Sequence, residues 1–237
     1  MSIKNNEVSI SIVGKGIGGL TFAYALEQSG YRNIKIYEQS ETPEQSTKGT
    51  GIILAANAMQ VFKKIGLYEA LEKRGNVLKK MNITDENLKI LSSVNVDQFS
   101  KIYNVNTIAI HREELYNIIN AKIKSETFFG KRLENISFEQ GNLKMSFKDG
   151  QVAESDIIIG ADGINSNVRN SFFSKIALRA AEQLCWRGVA NFKMPKYAEE
   201  LNELWGKGKR FGFVKINETQ IYWYALVNSS NYKCAAL

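Results

Sequence analysis

Gly14, Gly16 and Gly19 stand in the spacing G-x-G-x-x-G, and Glu38 follows 22 residues after Gly16. Each glycine has a mechanical meaning. The first permits a tight turn, the second lets the main chain approach a diphosphate, and the third lets a helix pack closely on a strand. Free amides over Gly16, Ile17, Gly18 and Gly19, at the positive end of the helix they open, suit phosphate charge. A carboxylate at Glu38 would accept the ribose hydroxyls, with Gln39 beside it, and would repel a 2′-phosphate. The pattern points to an adenine dinucleotide of the FAD or NAD kind rather than NADP.

Other chemistries find little to work with. His111 is the only histidine, and Cys185 and Cys234 sit in no C-x-x-C pair, which argues against a metal site. The same two cysteines fit reduced thiols in a cytoplasmic protein better than a disulfide scaffold. No G-x-S-x-G elbow is present to go with the single histidine, so a hydrolase triad is not supported.

The elements that must hold the glycine pattern are readable from periodicity. Val8, Ile10 and Ile12 alternate with Ser9 and Ser11 as a strand; Leu20, Phe22, Ala23 and Leu26 recur at helical spacing up to Gly30; Ile34 to Tyr37 form a second strand. This βαβ opening is the usual start of a parallel sheet. A helix is predicted from Asn57 to Ile65, and another after His111 with Leu115, Ile118, Ile119 and Ile123 on one face. Two extended runs, Leu78 to Thr84 and Leu88 to Val96, read as a hairpin of a different sheet. From Leu133 to Ser155 the chain reads as antiparallel strands turning at Asp149-Gly150. Ile157-Ile158-Ile159 reads as a buried-type parallel strand feeding Gly160-Ala161-Asp162-Gly163, and strands are predicted at Trp186–Phe192, Phe211–Ile216 and Ile221–Val227.

The chain has 237 residues, 44% hydrophobic and 23% charged, enough to bury a core without staples. No run of eighteen apolar residues marks a membrane span, and Met1 to Ile12 lack a signal-peptide layout. The net charge is +7. Its densest groups, Lys63-Lys64, Lys79-Lys80, Lys131-Arg132 and Lys207 to Arg210, are scattered rather than striped, so a nucleic-acid partner is not expected.

Beyond the glycine turn, Gly49-Thr50-Gly51-Ile52, Ala56-Asn57-Ala58, Ile65-Gly66-Leu67, Ile110-His111-Arg112-Glu113-Glu114-Leu115 and Gly160-Ala161-Asp162-Gly163-Ile164-Asn165-Ser166-Asn167-Val168-Arg169 stand in order. With them the chain resembles the FAD-dependent aromatic hydroxylases, the single-component flavin monooxygenases, nearest to the salicylate hydroxylase, urate hydroxylase and zeaxanthin epoxidase branch. The resemblance covers nearly the whole chain and extends to Cys185-Trp186-Arg187-Gly188 and Tyr222-Trp223-Tyr224.

It implies an α/β fold: a Rossmann-like FAD-binding domain of the p-hydroxybenzoate-hydroxylase-like kind with an interleaved antiparallel β-sheet substrate domain. The expected division is 1–73 with 102–178 for FAD, and 74–101 with 179–237 for substrate. Gly14, Gly16 and Gly19 would take the pyrophosphate, Glu38 the ribose, and Leu133 the adenine. Gly51, Ile53 and Arg112 would take the flavin side, and Asp162 is tied to both FAD and NAD(P)H. Arg210 and Tyr222 would line the substrate pocket, the arginine holding an anionic ring.

The implied reaction is NAD(P)H-driven insertion of one oxygen atom from O2 into an aromatic or other electron-rich ring through a C4a-hydroperoxyflavin. The expected setting is a cytoplasmic monomer or homodimer. Alternatives are a flavin reductase of isoprenoid double bonds, an NAD-dependent dehydrogenase without flavin, and a non-catalytic nucleotide-binding remnant.

The family's third motif, a Gly-Asp pair before a Pro- and Gly-rich helix start, is absent from the sequence. A C-terminally truncated chain that holds FAD weakly and does not turn over is therefore expected. A flavin absorbance scan of the isolated chain after desalting is expected to show little bound FAD; stoichiometric retention would contradict this.

Overall fold

The computed structural model describes residues 7–47, 50–139, 141–173 and 177–229. Cys234 and Gly49 lie outside them. Contacts divide the chain into two compact units, Met1–Lys48 with Tyr116–Leu178, and Gly49–Leu115 with Arg179–Leu237.

The first unit is built on a four-stranded parallel sheet in the order Ile157–Gly160, Ile10–Val13, Ile34–Tyr37, Glu126–Phe128. Side chains alternate between faces along a strand, and the central strand shows both environments. Ile10 and Ile12 join Ala23, Ile34 and Ile36 in one cluster, against which Leu26 of the helix Ile17–Gln28 packs. Val13 joins Tyr37, Leu133, Ile136, Met145 and Phe147 in a second cluster. That second layer includes an antiparallel meander, Leu133–Glu139, Asn142–Phe147 and Val152–Ser155. Tyr37 is stacked on Phe128 at 5.2 Å and on Phe147 at 4.9 Å. The small Ser11 is also buried, and its hydroxyl hydrogen-bonds that of Ser155.

The second unit carries two sheets. Gly51–Leu54, Thr107–His111 and Asn76–Leu78 form a three-stranded antiparallel sheet. A six-stranded sheet runs in the order Gln183–Asn191, Gln220–Asn228, Lys209–Asn217, Glu200–Gly206, Lys80–Thr84, Ile90–Asn95. All of its pairs are antiparallel except Glu200–Gly206 with Lys80–Thr84. Leu78 and Ala109 of the small sheet meet Leu201, Val214 and Ile216 of the large one in a single core.

Several sequence expectations need correction. The strand Glu200–Gly206 was not read from the sequence: Leu201, Leu204 and Trp205 recur at helical spacing, and pairing on both sides overrides that local pattern. Ile157–Gly160 is parallel as expected but lies at the sheet edge, with Ile157 41% exposed, because an apolar run cannot reveal how many neighbours a strand has. The helix after His111 spans Arg112–Asn120, so Ile123 lies beyond it. Phe22, placed on the apolar face by spacing, is exposed.

Ile12 is fully buried in the centre of the parallel sheet. Ile12→Ala is expected to cost about 2–5 kcal/mol through lost burial and a residual cavity, measured by urea unfolding.

Candidate functional site

Gly14 has a left-handed backbone, φ +101°, and a Cβ there would lie 2.4 Å from the Ala161 carbonyl oxygen. A Cβ on Gly19 would lie 2.0 Å from the Gly14 carbonyl oxygen. Both positions exclude any side chain. The helix that follows has Gly16 as its N-cap, with no side-chain cap and no acidic residue in its first turn. Its first amides therefore have no side chain answering them, the arrangement that favours an anion.

Glu38 directly follows the strand Ile34–Tyr37 and is buried. Its Oε2 accepts the Lys15 amide at 2.7 Å, and its Oε1 accepts both the amide and the hydroxyl of Ser40 at 2.9 Å. One carboxylate so ties the glycine turn to the end of the next strand. A carboxylate has about four acceptor positions, so Glu38 keeps room for a further donor. Gln39 beside it is exposed. The Lys15 side chain is buried, with Nζ 5.0 Å from the centre of the Phe129 ring. Burial lowers its pKa, and the nearby Glu38 charge opposes that shift.

Asp162 comes up against the same turn. Its Oδ2 accepts the amides of Asn167 and Val168 at 2.7 and 3.1 Å, at the start of the helix Asn167–Phe172. Ser166 caps that helix through the Arg169 amide at 2.9 Å. The Asn167 side chain donates to the Leu133 carbonyl at 2.6 Å. Gly14, Gly16, Ile17, Gly18, Gly19, Glu38, Leu133 and Asp162 are thus brought together by one set of contacts within the first unit.

A dinucleotide fits this set. A Cβ on Gly16 or Gly18 would meet nothing within 4 Å, so the main chain there is open to close approach. Asp162 Oδ1 is buried and accepts no hydrogen bond from any described residue, an orphan acceptor of the kind a ligand hydroxyl satisfies.

In the second unit, a Cβ on Gly51 would fall 2.3 Å from the Tyr222 side chain. Ile53 and Tyr222 pack against the same core. The Arg112 amide donates to the Thr50 carbonyl at 2.8 Å. Arg210 donates to Glu203 at 3.3 Å and to Gln183 at 3.3 Å, and it lines a small cleft of about 180 Å³ with Trp205 and Gln183. Tyr222 lies against Gly51, and its ring is tilted on that of Tyr224 at 5.8 Å. Glu203, missed in the sequence, gathers Arg210, the Trp205 indole at 2.6 Å, and the Tyr224 hydroxyl.

Register explains this gathering. Glu203 is paired with Gly212, and Gly212 with Tyr224. A Cβ on Gly212 would lie 2.1 Å from the Tyr224 ring, so the absent side chain lets that ring cross to Glu203. Burial, followed by the hydrogen bond to Glu203, pushes the Tyr224 pKa far up. The sequence signal available was the glycine in an aromatic strand, which marks a close approach.

The family model described as an FAD binding domain matches residues 7–217. The chain belongs to this FAD-binding family. Among curated relatives, the aurachin C monooxygenase/isomerase of Stigmatella aurantiaca is 31% identical over 219 residues, covering 92% of this chain and 56% of the relative. The 2-heptyl-3-hydroxy-4(1H)-quinolone synthase of Pseudomonas aeruginosa is 29% identical, with the same coverage. The 6-hydroxynicotinate 3-monooxygenase of Pseudomonas fluorescens is 29% identical over 76% of this chain and 47% of the relative. The chain spans about half the length of these relatives. Among solved structures, Klebsiella pneumoniae HpxO complexed with FAD and uric acid matches with TM-score 0.81 at 23% identity, over 97% of this chain and 58% of that one. P. aeruginosa PqsL in complex with 2-aminobenzoylacetate matches with TM-score 0.79 at 22% identity, over 94% and 62%. These likenesses show the fold, and it is the expected one: a parallel-sheet FAD-binding architecture with antiparallel sheets. Among the described residues no helix is long and apolar enough to cross a membrane, and no group of His, Cys, Asp or Glu is placed to hold a metal.

Because its protonated form is favoured, Tyr224 is expected to stay un-ionised while the chain remains folded. Alkaline titration of tyrosinate absorbance should give superimposable curves for wild type and Tyr224→Phe up to about pH 11, with folding followed by circular dichroism. Loss of one tyrosinate equivalent below that pH in the variant would contradict the geometry.

Proposed function

We propose that the whole protein is an FAD-dependent, NAD(P)H-driven monooxygenase acting on an aromatic or other electron-rich ring. The reading is supported chiefly by the glycine turn, joined by Glu38 and the orphan Asp162 acceptor, in a chain whose relatives include named monooxygenases. When bound, FAD supplies the redox chemistry: two electrons come from the nicotinamide, one oxygen atom of O2 enters the ring, and the other leaves as water.

The chain's residues bind and orient. The open main chain at Gly16 and Gly18, with Ile17 between them and Gly14 and Gly19 holding the turn closed, would take the pyrophosphate at the helix end. Glu38, with Gln39 adjacent, would accept the adenosine ribose hydroxyls, and Leu133 would border the adenine. Asp162 would offer Oδ1 to a cofactor hydroxyl while Oδ2 holds the helix start. Gly51, Ile53 and Arg112 are assigned to the flavin end, and NAD(P)H to a transient approach near Asp162. The domain assignment follows from the same reading: residues 1–73 with 102–178 serve the cofactor, and 74–101 with 179–237 the substrate. Partners are a small-molecule substrate and O2, in a cytoplasmic monomer or homodimer that binds no nucleic acid.

In the full-length protein, a ring substrate is expected to stimulate NAD(P)H oxidation with matching O2 consumption, and label from isotopic dioxygen should appear in the product. Unlabelled, reduced product would favour a double-bond reductase instead. Glu38→Ala is expected to weaken FAD binding about tenfold or more, since hydrogen bonds to a charged acceptor are lost; flavin fluorescence quenching measures it.

A further inference from the structure

The second unit holds a cavity of about 640 Å³ whose walls include Met81, Ile83, Val94, Phe99 and Leu201. Its polar lining consists of amides, hydroxyls and one formally charged residue, Glu203. Neither lysine nor arginine lines it. The charge that answers Glu203 is Arg210, at 3.3 Å, which lines a separate small cleft. Of the pair, Glu203 lines the cavity and Arg210 lines the cleft. Trp205 and Tyr224 donate to the same carboxylate, which fixes it in place. Two of the arginine's five donors are engaged, by Glu203 and by Gln183, both at 3.3 Å. A like charge brought into an apolar cavity beside Glu203 would be repelled and poorly solvated.

We infer that this cavity selects an uncharged aromatic ring carrying an apolar substituent, and discriminates against ring carboxylates, with Glu203 as the specificity-determining residue. The apolar walls accept the substituent, and the amide and carboxylate acceptors suit a ring N–H or O–H donor. The inference deepens the monooxygenase reading and rests on it for the meaning of the ligand as substrate.

The test is a binding titration of the chain, followed by tryptophan fluorescence, since Trp205 shares the Glu203 carboxylate. The probes are 4-hydroxyquinoline bearing an alkyl chain, the same ring without the chain, and quinoline carboxylate. The alkylated neutral ring is expected to bind about tenfold or more tighter than either of the others. Glu203→Gln should narrow the gap between neutral ring and carboxylate by about tenfold, because it removes the repelling charge and releases Arg210. Arg210→Gln should leave that gap undiminished, because Glu203 then stands uncompensated. Circular dichroism and thermal melting establish that each variant is folded.

Equal binding of carboxylate and neutral ring, no binding of any probe, or an unchanged ratio in folded Glu203→Gln would overturn the inference. Substrate-stimulated oxidation in the full-length protein is scored separately. The binding preference without oxygen transfer would sink the monooxygenase reading and leave the cavity's selectivity standing. Oxygen transfer to carboxylates in preference to neutral rings would do the reverse.

Discussion

The Glu38 carboxylate joins the glycine turn to the end of the neighbouring strand. It accepts the Lys15 amide on one oxygen and the Ser40 amide and hydroxyl on the other. This bridge fixes the height of the turn above the parallel sheet, and the first helical amides point from that height. A buried carboxylate is costly without partners, and here the partners are the elements that must be held in register. The turn itself leaves no slack, because Gly19 packs against the Gly14 carbonyl and Gly14 against Ala161. The helix end, the Glu38 carboxylate and the Asp162 loop are therefore held in one arrangement.

The second unit uses absence of side chains in a different way. Gly212 stands between Glu203 and Tyr224 in the strand register, and the tyrosine ring lies across it. That crossing brings a phenol to a carboxylate which already holds an arginine and an indole. Gly51 does similar duty under Tyr222. Both glycines trade strand propensity for close approach of an aromatic ring. The aromatic side chains so placed form part of the core between the two sheets of this unit.

Much of the architecture was legible because it rests on short-range rules. Alternation in Val8 to Ile12, helical spacing after Gly19 and the Asp149-Gly150 turn each report a local preference that tertiary structure leaves in force. Glu200–Gly206 was not legible, since its helical spacing of apolar residues conflicts with the sheet that absorbs it. The edge position of Ile157–Gly160 was hidden for a related reason: composition reports that a strand is apolar, not which strands flank it.

The sequence by itself determined the glycine turn, because glycine spacing, the following helix and Glu38 are set by backbone sterics and lie within forty residues. It also carried enough ordered motifs to indicate the flavoprotein family. Tertiary structure alone decided what the distant polar residues do. Asp162 reaches the turn from far along the chain, and Arg210 is paired with Glu203 across neighbouring strands. The reason is physical: local conformation depends on neighbours in the chain, whereas the partner of a distant charged group depends on which strands pair and in what register.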